Sequence, residues 1–453
     1  MTDLHVRLDR HKGGLAAQIA AELRSSIRDG RLAPGTRLPA SRDLAADLAV
    51  SRGVVVEAYE QLVAEGFLVS RVGKGTHVAA GVTAPREQAE PRQDGVCAPF
   101  YGHRPTSPDL SGFPRERWLA SVRHVLATLP SGALDYGDPG GVPELREELA
   151  GYLRRVRAAD VRPENLVIVG GVAQGLSLSL LVLGPDRLAI EDPSSPRQVP
   201  LLRRAGVEPV PVPSDEAGIN VKALAATGAR TVLLTPAHHF PTGVVLSPGR
   251  RAEIIEWGGT VLEDDYDAEF RFDRDPVGCL QGLAPDRVIL AGSVSKSLAP
   301  GLRLGWVAGP EGFAAAIRQA RGELDLGSPV IEQYALAHFL RTGAYDRHLR
   351  RTRREYRRRR DALVTALREQ LPEVRVRGIE AGLHVYLELP EDWDELAMAQ
   401  AAQSLGLAAE PVGPMRFGPG PPALVAGFAR VPAHRAAEAV RQLKVRMSGH
   451  ISR

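Results

Sequence analysis

Val288-Ile289-Leu290-Ala291-Gly292-Ser293-Val294-Ser295-Lys296 carries the reading of the larger part of the chain. Val288-Ile289-Leu290 is apolar at every position, which suits a strand buried on both faces of a mostly parallel sheet. Lys296 follows the carboxyl end of that strand, where α/β sheets bind their ligands. An amine so placed can form a Schiff base with an aldehyde cofactor, and the hydroxyls of Ser293 and Ser295 can hold a phosphate. By itself Ser-x-Ser-Lys also describes an exposed loop, so its surroundings decide. Arg303, within Pro300-Gly301-Leu302-Arg303-Leu304-Gly305, offers a further phosphate ligand.

Outward from this stretch, Leu166–Val169, Arg187–Ile190, Thr231–Leu234 and Val261-Leu262 read as strands alternating with helical segments. This is an α/β pattern. Glu263-Asp264-Asp265-Tyr266-Asp267 sets acids at the end of another strand. One of these carboxylates can pair with a pyridinium nitrogen; a metal site or a solvated turn is the alternative. Leu383–Leu387 and Leu424–Phe428 read as strands of a smaller α+β subdomain.

The first eighty residues follow a different pattern. Leu15, Ile19, Leu23 and Ile27 recur every fourth residue, giving an amphipathic helix that stops at Asp29-Gly30. Ser41 reads as the N-cap of a second helix carrying Leu44 and Leu48. Ser51 caps a third, whose inner face is Val55, Tyr59, Leu62 and Val63 and whose stop is Gly66. Phe67–Ser70 and Thr76–Ala79 make a hairpin around the basic turn Arg71-Val72-Gly73-Lys74-Gly75. Three helices and a hairpin form a winged helix-turn-helix, with Ser51 and Arg52 opening the helix that would enter a major groove. Arg37, Arg42, Arg71 and Lys74 add a cationic rim for phosphates.

At 453 residues and 44% apolar composition, the chain can bury more than one core. Residues 81–99, rich in Pro, Glu, Gln, Arg and Asp, read as a linker between a DNA-binding domain at 1–80 and an effector domain at 100–453. A net charge of +3 permits contact with nucleic acid without requiring it. The two cysteines, Cys97 and Cys279, make neither a disulfide framework nor a structural zinc site. With no signal pattern at Met1–His5 and no apolar run of membrane length, the expectation is a cytoplasmic protein without a membrane partner.

With these motifs in place, Leu15–Ile19, Gly35–Ala45, Val50–Leu62, Gly66–Leu68 and Gly73–Thr76 together resemble the GntR-type winged helix. The chain from about Tyr101 onward resembles the fold-type I aminotransferases, through Tyr136–Gly141, Gly170–Gln174, Glu191-Asp192-Pro193, Pro236–Gly243 and the lysine motif. The order of domains resembles the MocR/GabR subfamily. The resemblance implies pyridoxal 5'-phosphate joined to Lys296, with Asp264 on the pyridine nitrogen and Tyr266 on the ring hydroxyl. It implies a phosphate held by the backbone of Val172 and Ala173, by Ser293, Ser295 and Arg303, and Tyr136 reaching in from a partner subunit. His239 enters the cofactor set at the position where relatives carry glutamine. Arg37, Ser41, Arg42, Ser51, Arg52 and the wing glycine Gly75 are implied to touch double-stranded operator DNA, in a head-to-tail homodimer.

Several positions depart from the family pattern. Ser195 stands where relatives stack an aromatic ring on the cofactor, Gly170 where they carry serine, and Val425 where aminotransferases clamp a carboxylate with arginine. An isopropyl group cannot replace a bidentate guanidinium. Arg197 remains as an effector-binding cation, and the expected effector is pyridoxal phosphate itself or an amine rather than an ordinary α-amino acid. A working aminotransferase with an accessory DNA-binding domain shares the same lysine, and a regulator with a vestigial cofactor site is the third reading. The winged helix favours regulation, with at most residual half-transamination. The arginines between Arg347 and Arg360 form either a second basic surface or a solvated, salt-bridged helix.

Overall fold

The computed structural model describes residues 8–10, 13–71, 75–80, 104–272 and 277–451, the last four without side chains. Gly73, Lys74, the linker 81–99 and Cys97 lie outside the described residues. The chain divides into two compact units, residues 1–100 and 101–453.

The first unit holds α1 (Leu15–Arg28), α2 (Ser41–Asp47), α3 (Arg52–Ala64), β1 (Leu68–Arg71) and β2 (Gly75–Val78). The four-residue spacing in α1 buries Ile19, Leu23 and Ile27 against Leu44, Val55, Ala58 and Leu62. Each fully buried Leu or Ile stabilises the unit by about 1.5–3 kcal/mol. Val63, expected on the inner face of α3, is 38% exposed. Ala58 takes the inward place instead, because at 100° per residue Val63 falls at the margin of the stripe through Val55, Tyr59 and Leu62. The hairpin pairs Leu68 with Val78 and Arg71 with Gly75. Residues 35–38 join it as a third edge, with Leu38 N donating to Thr76 O and Val78 N to Thr36 O.

The second unit begins with α4 (Arg115–Thr128) and α5 (Pro143–Arg157), followed by β3 (Leu166–Val169), α6 (Val172–Leu183), β4 (Arg187–Asp192) and α7 (Gln198–Arg204). Next come β5 (Glu208–Asp215), β6 (Gly218-Ile219), α8 (Val221–Ala226), β7 (Thr231–Leu234), α9 (Pro248–Trp257), β8 (Thr260–Asp265), β9 (Val288–Ser293) and β10 (Gly305–Ala308). They build one eight-stranded sheet in the order β3-β10-β9-β8-β7-β4-β5-β6. The run β5-β4-β7-β8-β9 is parallel, and β10 is antiparallel to both β9 and β3. Strands β3, β7 and β10 show no alternation of buried and exposed positions. They are buried at every residue, as strands covered on both faces must be.

Helices α10 (Glu311–Leu324), α11 (Val330–Arg341) and α12 (Ala344–Gln370) lead to the smaller subdomain. That subdomain comprises β11 (Arg375–Arg377), β12 (His384–Glu388), α13 (Glu395–Ser404), β13 (Ala408–Pro411), β14 (Ala423–Gly427) and α14 (Ala436–Ile451). Its sheet, β11-β12-β14-β13, is antiparallel throughout. Among the described residues no helix is long and apolar enough to cross a membrane.

Candidate cofactor pocket and nucleic-acid face

Neighbouring parallel strands deliver the pocket's chemistry at their carboxyl ends. Asp264 lies near the end of β8 opposite Ala291 of β9, and the chain runs from β9 through Ser293 to Lys296. Asp264 Oδ1 is shielded from solvent and has no hydrogen-bond partner. Burial, reinforced by Asp265 and Asp267 and opposed by Lys296, pushes this carboxyl up to about 7. A shielded acceptor without a donor is costly, and a protonated ring nitrogen would supply that donor. Lys296 Nζ donates to Thr106 Oγ1 at 3.3 Å. Burial lowers the lysine's proton affinity, Asp267 and Asp264 pull it back up, and Arg197 lowers it further. The net downward shift enlarges the fraction of free amine, the form that attacks an aldehyde.

An anion cradle lies beside them. Gly171 caps α6 with φ 110°, and a Cβ there would come within 3.2 Å of Arg303 Nη1. Gly305 approaches the same turn so closely that its Cβ would meet Gly171 Cα at 2.8 Å. Only glycine permits this convergence of the α6 N-terminus with the Arg303 guanidinium. Val172 and Ala173 open α6, so their N–H groups have no acceptor within the helix and point toward an anion. Ser293 Oγ accepts from Ser295 N at 3.3 Å, closing the turn on the other side. These groups fit pyridoxal phosphate: a lysine for the aldehyde, a carboxyl for the ring nitrogen, and an arginine with a helix N-terminus for the phosphate.

His239 is buried in the turn after β7. Its Nδ1 lies 2.6 Å from Thr242 Oγ1 and its Nε2 3.6 Å from Glu191 Oε2. The histidine turned to Tyr266 is His238, whose Nδ1 is 3.2 Å from the phenol oxygen. Two adjacent histidines offer no sequence signal to tell them apart; the turn after β7 does. Tyr136 is 82% exposed on its own chain. The Ser195 carbonyl accepts from Gln198 N as the chain enters α7, and Arg197 sits at the cap of that helix. Charge effects of Arg197 reach both Lys296 and Glu410.

Val425 is fully buried, with Tyr386 and Glu410 as its strand partners. It packs with Tyr386, Val412, Met415 and Ala423 against Phe240. Arg416, from the loop before β14, donates to Tyr386 Oη at 3.1 Å. A guanidinium thus bonds the tyrosine whose strand position faces Val425. Arg416 is not marked in the sequence, because a loop arginine has no periodicity.

On the winged helix, Arg37, Arg42, Ser51 and Arg52 are exposed. Ser41 is not the cap of α2: Ala40 holds the extended cap conformation, and Ser41 is the first helical residue. Its hydroxyl accepts instead from Arg52 Nε at 3.4 Å, which joins α2 to the start of α3. Ser51 does occupy the cap position of α3, without a side-chain cap bond. Gly75 has φ 84°, and a Cβ there would come 3.2 Å from Arg37 Nε, so Arg37 lies along the wing.

The arginines of α12 divide into two groups. Arg359 pairs with Asp109 and Glu355, Arg360 with Glu380, and Arg353 donates to the Glu269 carbonyl. Arg347, Arg350, Arg351, Arg354, Arg357 and Arg358 are exposed, yet Arg358 still pairs with Glu355 and Arg357 with Glu380, and Arg347 and Arg351 donate to the carbonyls of Thr342 and Gly112.

Both parts of the chain have relatives among known proteins. Residues 15–78 match the bacterial regulatory proteins of the gntR family, and residues 108–441 match aminotransferase class I and II. The chain is 34% identical to the HTH-type pyridoxine biosynthesis transcriptional regulator PdxR of Corynebacterium glutamicum, over 90% of this chain and 91% of that one. It is 29% identical to the probable rhizopine catabolism regulatory protein MocR of Rhizobium meliloti, over 94% and 92%. Among solved structures, an archaeal alanine:glyoxylate aminotransferase superposes with a TM-score of 0.69 at 27% identity, covering 76% of this chain and 89% of its own. LysN, the α-aminoadipate aminotransferase of Thermus thermophilus, complexed with N-(5'-phosphopyridoxyl)-L-leucine, gives 0.69 at 27% identity, over 78% and 93%. The chain belongs to the HTH-type transcriptional regulators that join a gntR winged helix to an aminotransferase class I and II domain. That fold class generally depends on pyridoxal phosphate, and the gntR element is a DNA-binding one.

Proposed function

We propose that the protein binds pyridoxal phosphate through Lys296 and changes its hold on double-stranded operator DNA when a small molecule alters the occupied pocket. The carrying observation is the shielded Asp264 Oδ1, a carboxyl oxygen near Lys296 with no donor of its own. Bound there, the cofactor supplies an electrophilic carbon that reacts with amines. Asp264 holds the proton on its ring nitrogen, Tyr266 faces its ring hydroxyl, and Val172, Ala173, Ser293, Ser295 and Arg303 hold its phosphate. Tyr136, exposed on its own chain, completes the pocket of a partner in a head-to-tail homodimer. Arg37, Ser41, Arg42, Ser51, Arg52 and Gly75 form the face toward DNA, at the front of a domain over 1–80, tethered by 81–99 to an effector domain over 100–453.

The effector is pyridoxal phosphate itself or another amine-directed ligand, oriented by Arg197. The buried Val425 argues against the strand-borne carboxylate clamp of an α-amino-acid transaminase, and regulation needs no turnover. The relative named as a pyridoxine biosynthesis regulator supports a vitamin B6 signal. Footprinting on the promoter of the protein's own genome, with and without pyridoxal phosphate, tests the reading. Protection that changes with cofactor supports it. A chain that stays colourless with added cofactor, or a footprint that ignores it, refutes it.

A further inference from the structure

Residues 104–109 are the first described residues of the second unit, and one of them touches the reactive lysine. Thr106 Oγ1 accepts from Lys296 Nζ at 3.3 Å. Among the described residues it is the only hydrogen-bond partner of that nitrogen. An amine donates whether it is neutral or protonated, so the contact does not depend on the charge of Lys296. The residues on either side of Thr106 are anchored elsewhere. Pro105 lies against Gly427 at the end of β14, where a Cβ would come 2.7 Å from Pro105 Cα. Arg430 Nε donates to the Pro108 carbonyl at 3.0 Å. Asp109 N donates to Tyr356 Oη at 2.8 Å, and Arg359 pairs with Asp109 at 2.9 Å. Between these anchors Ser107 N donates to the Arg104 carbonyl at 2.9 Å, closing a turn around Thr106. The segment is thus fixed to the smaller subdomain and to α12, and Thr106 ties it to the lysine that follows β9.

We infer that Thr106 is the positioning residue that reads the state of the Lys296 nitrogen: residues 104–109 dock on the lysine while it is a free amine, and are released when it bonds to the cofactor. This rests on the cofactor reading above. Condensation joins the nitrogen to the aldehyde carbon and expels the aldehyde oxygen as water, with two hydrogens. A freely turning amine is replaced by a planar nitrogen with one hydrogen at most, which no longer rotates to suit Thr106. An effector amine that takes the cofactor's carbon in exchange passes its two hydrogens to Lys296 and restores the free amine. Loading and an amine effector therefore act on 104–109 in opposite directions. Because these residues open the second unit, their docking or release acts on the end of the chain that leads back to the first.

The test uses the full-length protein, with hydrogen exchange at the amides of Arg104, Thr106, Ser107 and Asp109 read by mass spectrometry. Bound pyridoxal phosphate should raise exchange there about 2- to 10-fold, the range set by one net hydrogen bond. Pyridoxine phosphate, with an alcohol in place of the aldehyde, fills the pocket without bonding to the lysine and should leave exchange at the cofactor-free rate. Thr106→Val should exchange at the raised rate with or without cofactor, and Thr106→Ser should behave as the wild type does. Thr106→Val should also bind pyridoxal phosphate about 2- to 10-fold more tightly, since loading no longer breaks a bond. A merely structural role would weaken cofactor binding in that variant, and weaker binding overturns the proposal. So does a wild type whose exchange ignores the bound cofactor, or answers both phosphates alike.

Failure of the cofactor reading shows separately. If the wild type takes up no pyridoxal phosphate, that reading falls, and Lys296→Met decides the contact in the cofactor-free protein. Removing the amine should raise exchange at 104–109 about 2- to 10-fold, and adding Thr106→Val should raise it no further, as expected of two partners in one bond. Additive effects of the two substitutions, or no effect of Lys296→Met, overturn the inference.

Discussion

The two units of this chain expose the residues proposed to do their work to opposite degrees. On the winged helix, Arg37, Arg42, Ser51 and Arg52 stand in solvent on a core of Ile19, Leu23, Leu44, Val55 and Leu62. In the second unit, Asp264, Tyr266 and Lys296 are set into the sheet's carboxyl edge, and burial is the largest influence on the proton affinity of each. The difference follows from the partner. A DNA backbone is met by long, hydrated cations and repaid by released counterions. A small aromatic cofactor is met by groups whose reactivity depends on being withdrawn from water.

That contrast can be broken most sharply at Lys296. Lys296→Ala should abolish the cofactor's absorbance, while the purified variant still retards non-specific DNA in a gel. Loss of both would mean that the units are not separable in function. On the exposed side, Arg52→Ala should weaken operator binding by about 1–3 kcal/mol, roughly 5- to 150-fold, with the cofactor absorbance unchanged. An unchanged affinity would remove Arg52 from the interface.

Asp264→Asn tests what burial does. Asp264, Glu263 and Glu269 are each raised to about 7, chiefly by burial. Carboxyls in the unfolded chain titrate near about 4, so the folded cofactor-free unit holds extra protons between about pH 4 and 7. Its stability therefore falls as pH rises through that window and levels off above it. Asp264→Asn should make the cofactor-free protein more stable at about pH 8 by about 1–3 kcal/mol, and weaken cofactor binding. Calorimetry across pH checks the first arm, and a lower melting temperature in alkaline buffer would contradict it. Arg42→Ala should lower affinity for every DNA sequence alike and reduce the salt slope by about 1, as expected for one lost phosphate contact. The smallest effect is expected at Ser41. Because Ala40 holds the cap position, Ser41→Ala should cost under about 0.5 kcal/mol in thermal stability, against about 1 for a true cap.

Legibility differed between the units as well. The helices and hairpin of the first unit were readable because their signals are local: four-residue spacing, glycine stops and short loops. Two details escaped. Ser41 has the side chain of a cap, but helical backbone angles begin at Ser41 itself, and the side chain alone does not fix where they start. Val63 lies at the edge of an apolar stripe, where a shift of one residue decides burial. In the second unit the strands were readable as apolar runs, and Lys296 and Asp264 as residues at strand ends. Thr106, His238 and Arg416 were not, since each meets its partners from a loop whose path depends on distant packing.

By itself, the sequence determined the two kinds of unit, the strand alternation, and the residue types able to hold an aldehyde, a ring nitrogen and a phosphate. These follow from periodicity and side-chain chemistry, which are properties of neighbours along the chain. Only the tertiary structure decided that β8 and β9 lie side by side, that Arg303 folds over Gly171, that Asp264 Oδ1 is left without a donor, and that His238 rather than His239 faces Tyr266. Those outcomes depend on which surfaces are withdrawn from water together, and burial is set by contacts between residues far apart in the chain.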